Sequence, residues 1–199
     1  MIKTTHPMNC DFIKLANTAI EDSAVRKVEQ VYNDYNKGLP KLIEKLPDNV
    51  VYSFFEGDEQ LMAHDITVKG ADFNKEDETF EFNIQSFFHA QDKNAVGSLL
   101  FTGVQNLIAE FDDSPVTVDY LLELLEDRDL LEIYFDVLEN GKYSIDIYSL
   151  SEEPYEDEKD DDDFQVLHIQ FQFSGFGTNL EAITPEQDDN DNIDAMDTF

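Results

Sequence analysis

The four histidines are the first residues to test for chemistry, because imidazole serves both in metal sites and in proton transfer. They are His6, His64, His89 and His168, and no two of them lie at a spacing typical of metal ligands. The patterns H-E-x-x-H and G-x-S-x-G, which mark zinc proteases and serine hydrolases, are missing from the sequence. His64 and His168 fall in predicted strands, so we interpret both as structural residues.

Two further segments carry part of a ligand-binding pattern. Gly175-Phe176-Gly177 follows a predicted strand but lacks the third glycine of a dinucleotide loop and the lysine of a phosphate loop. The stretch DDNDN at 188–192 begins like a calcium loop, but Ile193 stands where that loop needs glycine and no glutamate follows at the twelfth position. We therefore expect no cofactor, no metal site and no enzymatic activity.

Carboxylates dominate the composition. The 199 residues include 45 acidic and 13 basic side chains, for a net charge of −32. Residues 94–199 hold 28 of the acids and three of the bases, so this half carries −25. Among so many carboxylates close pairs arise by chance, and no pair indicates acid–base catalysis. Direct binding to nucleic acid is disfavoured because phosphate contacts need clustered lysine and arginine.

Cellular context follows from what the sequence lacks. Cys10 is the only cysteine, which excludes a disulfide framework and fits a reducing compartment. The first residues contain no apolar stretch typical of a secretory signal, and no apolar run approaches the length of a membrane span. An anionic chain is also repelled by anionic lipid. We expect a cytoplasmic protein that contacts no membrane.

The spacing of apolar residues predicts elements that could position these carboxylates. In the first half we expect a helix over 11–36, a short helix after Pro40, and strands over 50–55, 61–68 and 79–88. In the second half we expect helices over 95–111 and 115–127, a hairpin of 130–137 with 142–150 turning at Asn140-Gly141, and a strand over 164–173.

The two halves show the same order of elements. Each reads as helix, strand, turn, strand, acidic loop and strand, which predicts an α+β fold of two tandem αβββ units, with antiparallel sheets and helices packed on one face. The units are 1–93 and the strongly acidic 94–183, followed by a disordered acidic tail, 184–199. One α+β domain with two unrelated meanders is the alternative interpretation.

Acids in the second unit share the polar sides of its elements. On the helix predicted over 115–127 they lie opposite apolar residues, and no lysine is interleaved to relieve their repulsion. Tyrosines among them offer apolar anchors, which binding surfaces need beside charge. The predicted partner-binding residues are Asp112, Asp113, Asp119, Glu123, Glu126, Asp127, Glu132, Tyr134, Asp136, Asp146, Tyr148, Glu152, Glu153, Tyr155, Glu156, Asp157, Glu158, Asp160, Asp161, Asp162 and Asp163. A merely solvated face is the alternative.

The last residues form a second candidate site. Asp194, Asp197 and the terminal Phe199 resemble the acidic C-terminal tips of bacterial and phage single-stranded-DNA-binding proteins. Those tips dock through their final phenylalanine on basic-rimmed pockets of replication and repair enzymes. Thr198 departs from the pattern, because bacterial tips have proline there. The alternative is a tail that only aids solubility.

In charge, size and lack of catalytic motifs the chain resembles the DNA-mimic proteins of phages and mobile elements. The resemblance implies an anti-restriction or anti-defence inhibitor in the host cytoplasm. Such a protein occupies the DNA site of a basic nucleic-acid-binding partner, such as a restriction, nuclease, repair or transcription enzyme. Two alternatives remain open: an immunity protein or antitoxin against a basic toxin, and a replication or virion accessory factor that docks through its tail. The oligomeric state is not predicted, although a dimer would extend the negative surface.

Overall fold

A computed structural model describes residues 12–13, 15–16, 22–56, 59–60, 66–88, 93–130, 132–151 and 165–182. The helices in these ranges are α1 (Asp22–Ile43), α2 (Asp48–Phe54) and α3 (Val118–Leu125). The strands are β1 (Phe55–Glu56), β2 (Glu59–Gln60), β3 (Ile66–Asn74), β4 (Thr79–Phe88), β5 (Lys93–Thr102), β6 (Gln105–Phe111), β7 (Ser114–Pro115), β8 (Arg128–Asp129), β9 (Glu132–Val137), β10 (Tyr143–Ser151), β11 (Gln165–Phe173) and β12 (Gly175–Ala182). None of the described helices is long and apolar enough to cross a membrane.

Two five-stranded antiparallel sheets form the body of the protein. The first sheet has the order β12-β5-β4-β3-β8, and the second sheet has the order β7-β6-β11-β10-β9. β1 and β2 pair as a separate two-stranded ribbon. The predicted class, α+β with antiparallel sheets, is confirmed.

The inner faces of the two sheets pack on each other through phenylalanine rings. Phe171 of β11 lies 5.4 Å from Phe80 of β4 and 5.1 Å from Phe101 of β5, measured between ring centroids. All three side chains are essentially fully buried. Phe54 of α2 extends this core to Phe135 of β9, at 5.0 Å. Burial of several large aromatic side chains at one interface supplies the main drive to fold.

α1 packs on the outer face of the second sheet at β9. The apolar stripe of this helix, which the sequence predicts, includes Val28, Tyr32 and Tyr35. Tyr35 packs edge-on against Tyr134 of β9, with ring centroids 5.1 Å apart. The second sheet is therefore the middle of three layers, between α1 and the first sheet.

Besides passing through α3 and β8, the chain crosses between the sheets at two adjacent corners. One corner is Gly103, between β5 and β6, and the other is Ser174, between β11 and β12. The Ser174 amide donates to the carbonyl of Thr102 at 2.9 Å, which holds the corners side by side. Gly103 has a φ of +64°, and a Cβ there would lie 2.1 Å from the Ser174 hydroxyl oxygen, so the corner requires glycine.

The best-supported hairpin of the sequence is confirmed. β9 and β10 pair antiparallel in register, with Ile147 opposite Ile133, and turn through Asn140-Gly141. Gly141 has a φ of +75°, a backbone conformation that glycine adopts without strain. The strands predicted over 79–88 and 164–173 are present as β4 and β11.

The helix predicted over 95–111 is wrong, because this stretch forms β5 and β6. The spacing of its apolar residues fits both the helical period of 3.6 residues and the strand period of two. In the strand Leu99 and Phe101 point into the core, whereas Val96 is 40% exposed. Gly97 allows the strand to pair closely with β12, since a Cβ at this position would lie 1.8 Å from the carbonyl oxygen of Asn179 in β12. The strands can approach this closely only at glycine.

Other boundaries move for local reasons. The strand predicted over 50–55 is mostly α2, which begins after Pro47. The helix predicted from 115 begins at Val118, because the Thr117 hydroxyl accepts from the Tyr120 amide and caps it. Ser114 and Pro115 instead form β7. α1 continues through Gly38 and Pro40 to Ile43, beyond its predicted end.

The two halves of the chain share their sheets. β4 and β5 lie on either side of the predicted boundary at residue 93, yet pair along ten residues. β12 and β8, from the second half, form the two edges of the first sheet. The described residues therefore form interleaved sheets, in contrast to the tandem αβββ units that the sequence predicts. The tail, 184–199, lies outside the described residues.

Candidate functional site

Residues 112–129, here called the acidic segment, link the second sheet to the first. The segment begins in the turn between β6 and β7, continues through α3 and ends in β8. Each of its acidic side chains is exposed to solvent. These seven residues are Asp112, Asp113, Asp119, Glu123, Glu126, Asp127 and Asp129.

The segment starts at a tight two-residue turn. Phe111 and Ser114 pair as the last residues of β6 and β7, and Asp112 and Asp113 connect them with φ of +49° and +60°. Two positive φ values define the type I′ turn, which favours Asn-Gly because most other residues are strained there. The sequence thus places two adjacent carboxylates at a position where they are not the residues that best stabilise the turn.

α3 holds the middle of the segment against the core. Leu121 and Leu125 are fully buried on one side of the helix. Asp119 and Glu123 lie on its exposed side, one turn apart, where like charges destabilise a helix by about 0.2–0.5 kcal/mol. Burial of the leucines fixes the direction in which the carboxylates face, and this gives the charge a defined position.

The end of the segment is tied to β3 of the first sheet. Asp127 forms an exposed ion pair with Lys69, at 2.9 Å between Oδ1 and Nζ. Asp129 accepts a hydrogen bond from the Thr67 hydroxyl at 2.5 Å. Backbone pairing of β8 with β3 adds to these contacts, so both ends of the segment are anchored in a sheet.

The one basic residue of the segment is turned inward. The Nε of Arg128 donates to the carbonyl of Leu124 at 2.7 Å, and its guanidinium lies 5.8 Å from the ring centroid of Phe111. Burial lowers the pKa of Arg128 from its ordinary value. Because the guanidinium packs under the segment, it does not interrupt the carboxylates on the outer surface.

Two residues of this surface are missing from the sequence-based set. Tyr120 on α3 is 45% exposed among the carboxylates, and Asp129 is exposed in β8. Tyr120 directly follows Asp119 and lies outside the buried stripe of Leu121 and Leu125, so helical periodicity could have marked it as exposed. Asp129 falls between two predicted elements and could have been found by counting charge alone.

Several predicted contact residues are instead buried beneath α1. Tyr134 and Tyr148 are 2% and 1% exposed, so neither can serve as the exposed anchor that the sequence predicts. Asp146 is 4% exposed. Glu132 is half-buried and accepts a hydrogen bond from the Tyr32 hydroxyl at 2.7 Å. Strand alternation places these residues away from the inner core, but α1 covers the face on which they lie.

Asp146 belongs to a polar cluster that we call the Asp146 cluster: Glu110, Asp146, His168 and Gln170. The Nε2 atoms of His168 and Gln170 both lie 2.9 Å from Asp146 Oδ1. His168 Nδ1 lies 3.7 Å from Glu110 Oε2, and its ring stacks on Tyr148 with centroids 4.5 Å apart. These contacts give Asp146 Oδ1 two hydrogen-bond partners and place His168 between two carboxylates.

Tyrosine hydroxyls complete the contact between α1 and the second sheet. Burial, reinforced by the charge of Glu132, raises the pKa of Tyr32 and of Tyr134 well above the ordinary value near 10. Burial likewise raises the pKa of Tyr35. The three phenols are therefore held in their neutral form.

The remaining predicted residues fall into two groups. Asp136 is exposed at the end of β9, apart from the acidic segment in sequence. The others lie outside the described residues: the run from Glu152 to Asp163, with Tyr155, and the tail residues Asp194, Asp197 and Phe199.

Comparison with known proteins yields no relative: no family model, curated protein or solved structure matches the chain. Within the described ranges, no group of three or more histidine, cysteine, aspartate or glutamate side chains is arranged to hold a metal ion.

Proposed function

We propose that the chain is a non-enzymatic binding protein whose acidic segment occupies the nucleic-acid-binding surface of a basic partner protein. The observation that carries this proposal is the arrangement of the acidic segment. Its seven carboxylates are exposed on anchored elements, and its single arginine is turned inward. The carboxylates would take the place of phosphates and compete with DNA for the same lysine and arginine side chains.

Electrostatics gives the mechanism. A net charge of −32 produces a potential that attracts a basic partner over distances longer than direct contact. Complementary charge raises the association rate, and added salt lowers it because ions screen the attraction. Tyr120 would supply an apolar contact among the charges, as aromatic residues do at the centres of interfaces.

The cost of the arrangement also supports a binding role. The like charges of Asp119 and Glu123 repel each other on α3, and Arg128 is turned inward, whereas surfaces that serve only solubility mix positive and negative charges. Residues that lower local stability are typical of functional surfaces.

The experiment compares two triple variants with the same change in net charge. Asp119→Lys, Glu123→Lys and Glu126→Lys reverse the acidic segment, and Glu29→Lys, Glu44→Lys and Glu76→Lys reverse exposed acids elsewhere. Immobilised protein captures partners at low salt from a lysate of the cells in which it acts. Purified partners are then titrated with each variant in the presence of duplex DNA.

We expect duplex DNA to compete with the unaltered protein for the partner, and the segment variant to bind at least about tenfold more weakly than the control variant. Salt at about 0.5 M should release the partner, because screening at this ionic strength is strong. Equal binding by the two variants would show that only net charge matters. A complex that DNA does not disturb would contradict mimicry.

Removal of residues 194–199 separates the main alternative. A mimic that acts through the acidic segment should keep its affinity after this truncation. An accessory factor that docks through its terminal phenylalanine should lose its partner.

A further inference from the structure

The four edge strands of the two sheets differ in how far they are protected. Exposed edges pair with other strands unless they are short, charged, interrupted or covered. β7 and β8 have two residues each. β9 has six residues, and the backbone of Phe135 within it is hydrogen-bonded to the Tyr35 hydroxyl of α1. Three of the four edges are therefore too short or are partly covered.

β12 is the exception. It has eight residues, contains no proline or lysine, and carries one charge, on Glu181. The Asn49 side chain donates to the carbonyl of Phe176 and closes the first part of the edge. The carbonyl oxygen of Asn179 faces β5, since a Cβ on Gly97 would lie 1.8 Å from it. Alternation then directs the peptide groups of Thr178 and Leu180 away from β5. In the described part of the chain no hydrogen bond to these peptide groups is seen from that side.

The outer face of the first sheet is also poor in charge next to this edge. Asn179, Ser98 and Asn83 form one row across β12, β5 and β4. The row on one side is Glu181, Val96 and Gln85, and the row on the other side is Gly177, Leu100 and Glu81, so each of these two rows holds one carboxylate. In a protein with 45 acids, this is a region where a second acidic molecule meets little repulsion.

We propose that two copies of the chain associate through β12, paired antiparallel about Asn179, so that their first sheets join into one sheet of ten strands. In this register Thr178 pairs with Leu180 of the partner subunit, and Leu180 pairs with Thr178 of the partner subunit, which forms four backbone hydrogen bonds. The pairing ends before Phe176, whose carbonyl keeps its hydrogen bond from Asn49. Glu181 lies opposite Gly177 of the partner subunit. The two Glu181 side chains are then about 13 Å apart along the strands, beyond the screening length of about 8 Å.

A second copy fits this edge better than a basic partner does. A basic protein would find little negative charge at β12 and is drawn to the acidic segment. An identical strand matches itself about a two-fold axis, the commonest symmetry of soluble oligomers. β8, the end of the acidic segment, is the opposite edge of the same sheet, so a dimer through β12 keeps the two acidic segments as far apart as the joined sheet allows.

A disulfide at the two-fold axis tests the register. Paired residues that do not exchange hydrogen bonds have Cα atoms about 4.5 Å apart, within the range that a disulfide can span. Cys10→Ser removes the native thiol, and Asn179→Cys then places one cysteine at the axis. The control is Asn83→Cys in the same background, in the same row but two strands from the edge.

Under mild oxidation we expect Asn179→Cys to form at least about tenfold more covalent dimer than Asn83→Cys on non-reducing gels. Comparable amounts from the two variants, or none from either, would overturn the proposal.

The salt dependence of the unaltered protein gives an independent measurement. Sedimentation should show more dimer at about 0.5 M salt than at about 0.05 M. The higher concentration screens the repulsion between the two acidic chains, and the lower one largely preserves it. Thr178→Pro should abolish dimer formation while the thermal unfolding curve changes little, since proline is tolerated at an edge. A dimer that persists in Thr178→Pro, or one that salt dissociates, would contradict association through β12.

These outcomes are separable from those of the proposed function, because salt acts in opposite directions on the two associations. The dimer should survive charge reversal of the acidic segment, and Thr178→Pro should keep its capture of a basic partner. Failure of one proposal therefore leaves the other standing.

Discussion

The acidic segment and the Asp146 cluster are both built from carboxylate side chains but place them in opposite environments. In the acidic segment, seven side chains face solvent and the only arginine packs beneath them. In the cluster, Asp146 is buried, and the Nε2 atoms of His168 and Gln170 lie 2.9 Å from its Oδ1. The difference teaches that an acid which alternates with core residues along a strand need not be exposed. Another part of the chain can cover the second face of the sheet.

The largest effect is expected from removal of the buried carboxylate. Asp146→Ala leaves the His168 and Gln170 side chains without their shared acceptor in a buried site. We expect the free energy of unfolding to fall by about 3 kcal/mol, as when one member of a buried polar pair is deleted. Urea denaturation followed by circular dichroism measures this change.

Asp136→Ala is the matched control in the neighbouring strand. Asp136 is exposed and its carboxylate accepts from the adjacent Val137 amide, at 2.8 Å. A change within about 0.5 kcal/mol is expected for such a surface residue. If the two alanine variants lose the same stability, the distinction between covered and exposed carboxylates does not hold.

An intermediate effect is expected where α1 meets β9. Tyr32→Phe removes the hydrogen bond from the Tyr32 hydroxyl to the half-buried Glu132 carboxylate. Hydrogen bonds to charged groups contribute about 1.5–3 kcal/mol, so a loss near the lower value is expected for this partly exposed pair. Tyr52→Phe should change nothing, because Tyr52 is 90% exposed. Thermal and urea unfolding of both variants give the comparison.

The same contact predicts the response to alkaline pH. Burial raises the pKa of Tyr32, Tyr35 and Tyr134 in the folded protein, so folding favours their protonated forms. The resulting stability is fully present below the ordinary tyrosine pKa of about 10 and is lost as the pH rises above it. The loss between pH 9 and pH 11 should be smaller in Tyr32→Phe. An equal loss in both proteins would exclude Tyr32 as a contributor.

The smallest effect is a gain in stability within the acidic segment. Asp112→Asn with Asp113→Gly supplies the residues that a type I′ turn prefers, and we expect a gain of about 1 kcal/mol. If these carboxylates contact the partner, the same variant should bind more weakly at low salt. A variant that is more stable and binds unchanged would restrict the contact surface to α3 and β8.

Local signals in the sequence predict much of the fold. Alternating residues predict β4, β9, β10 and β11, and Asn140-Gly141 predicts the turn that joins β9 to β10. Apolar spacing predicts α1, and the excess of charge in 112–127 predicts most of the acidic segment. Each of these features is encoded within about ten neighbouring residues.

The remainder depends on contacts that are distant in sequence. The apolar spacing of β5 predicts a helix, because the close contact with β12 is not visible in the local sequence. A Cβ at Gly97 would lie 1.8 Å from the carbonyl oxygen of Asn179 in β12. The burial of Tyr134 depends on contacts such as that with Tyr35 of α1, which lies 99 positions earlier in the sequence. The strand order of the sheets likewise joins segments from both halves of the chain.

The order β12-β5-β4-β3-β8 also determines when the protein can fold as it is synthesised. Neither sheet is complete until residues 165–182 have been made, since β11 lies at the centre of the second sheet and β12 closes the first. Pairing between strands so distant in sequence forms slowly, and apolar strands stay exposed until their partners have been synthesised. Phe80, Phe82 and Phe101 are then uncovered on every nascent chain. Mutual repulsion between chains of high negative charge keeps them apart during this interval, so the same carboxylates also protect the protein against aggregation before it is folded.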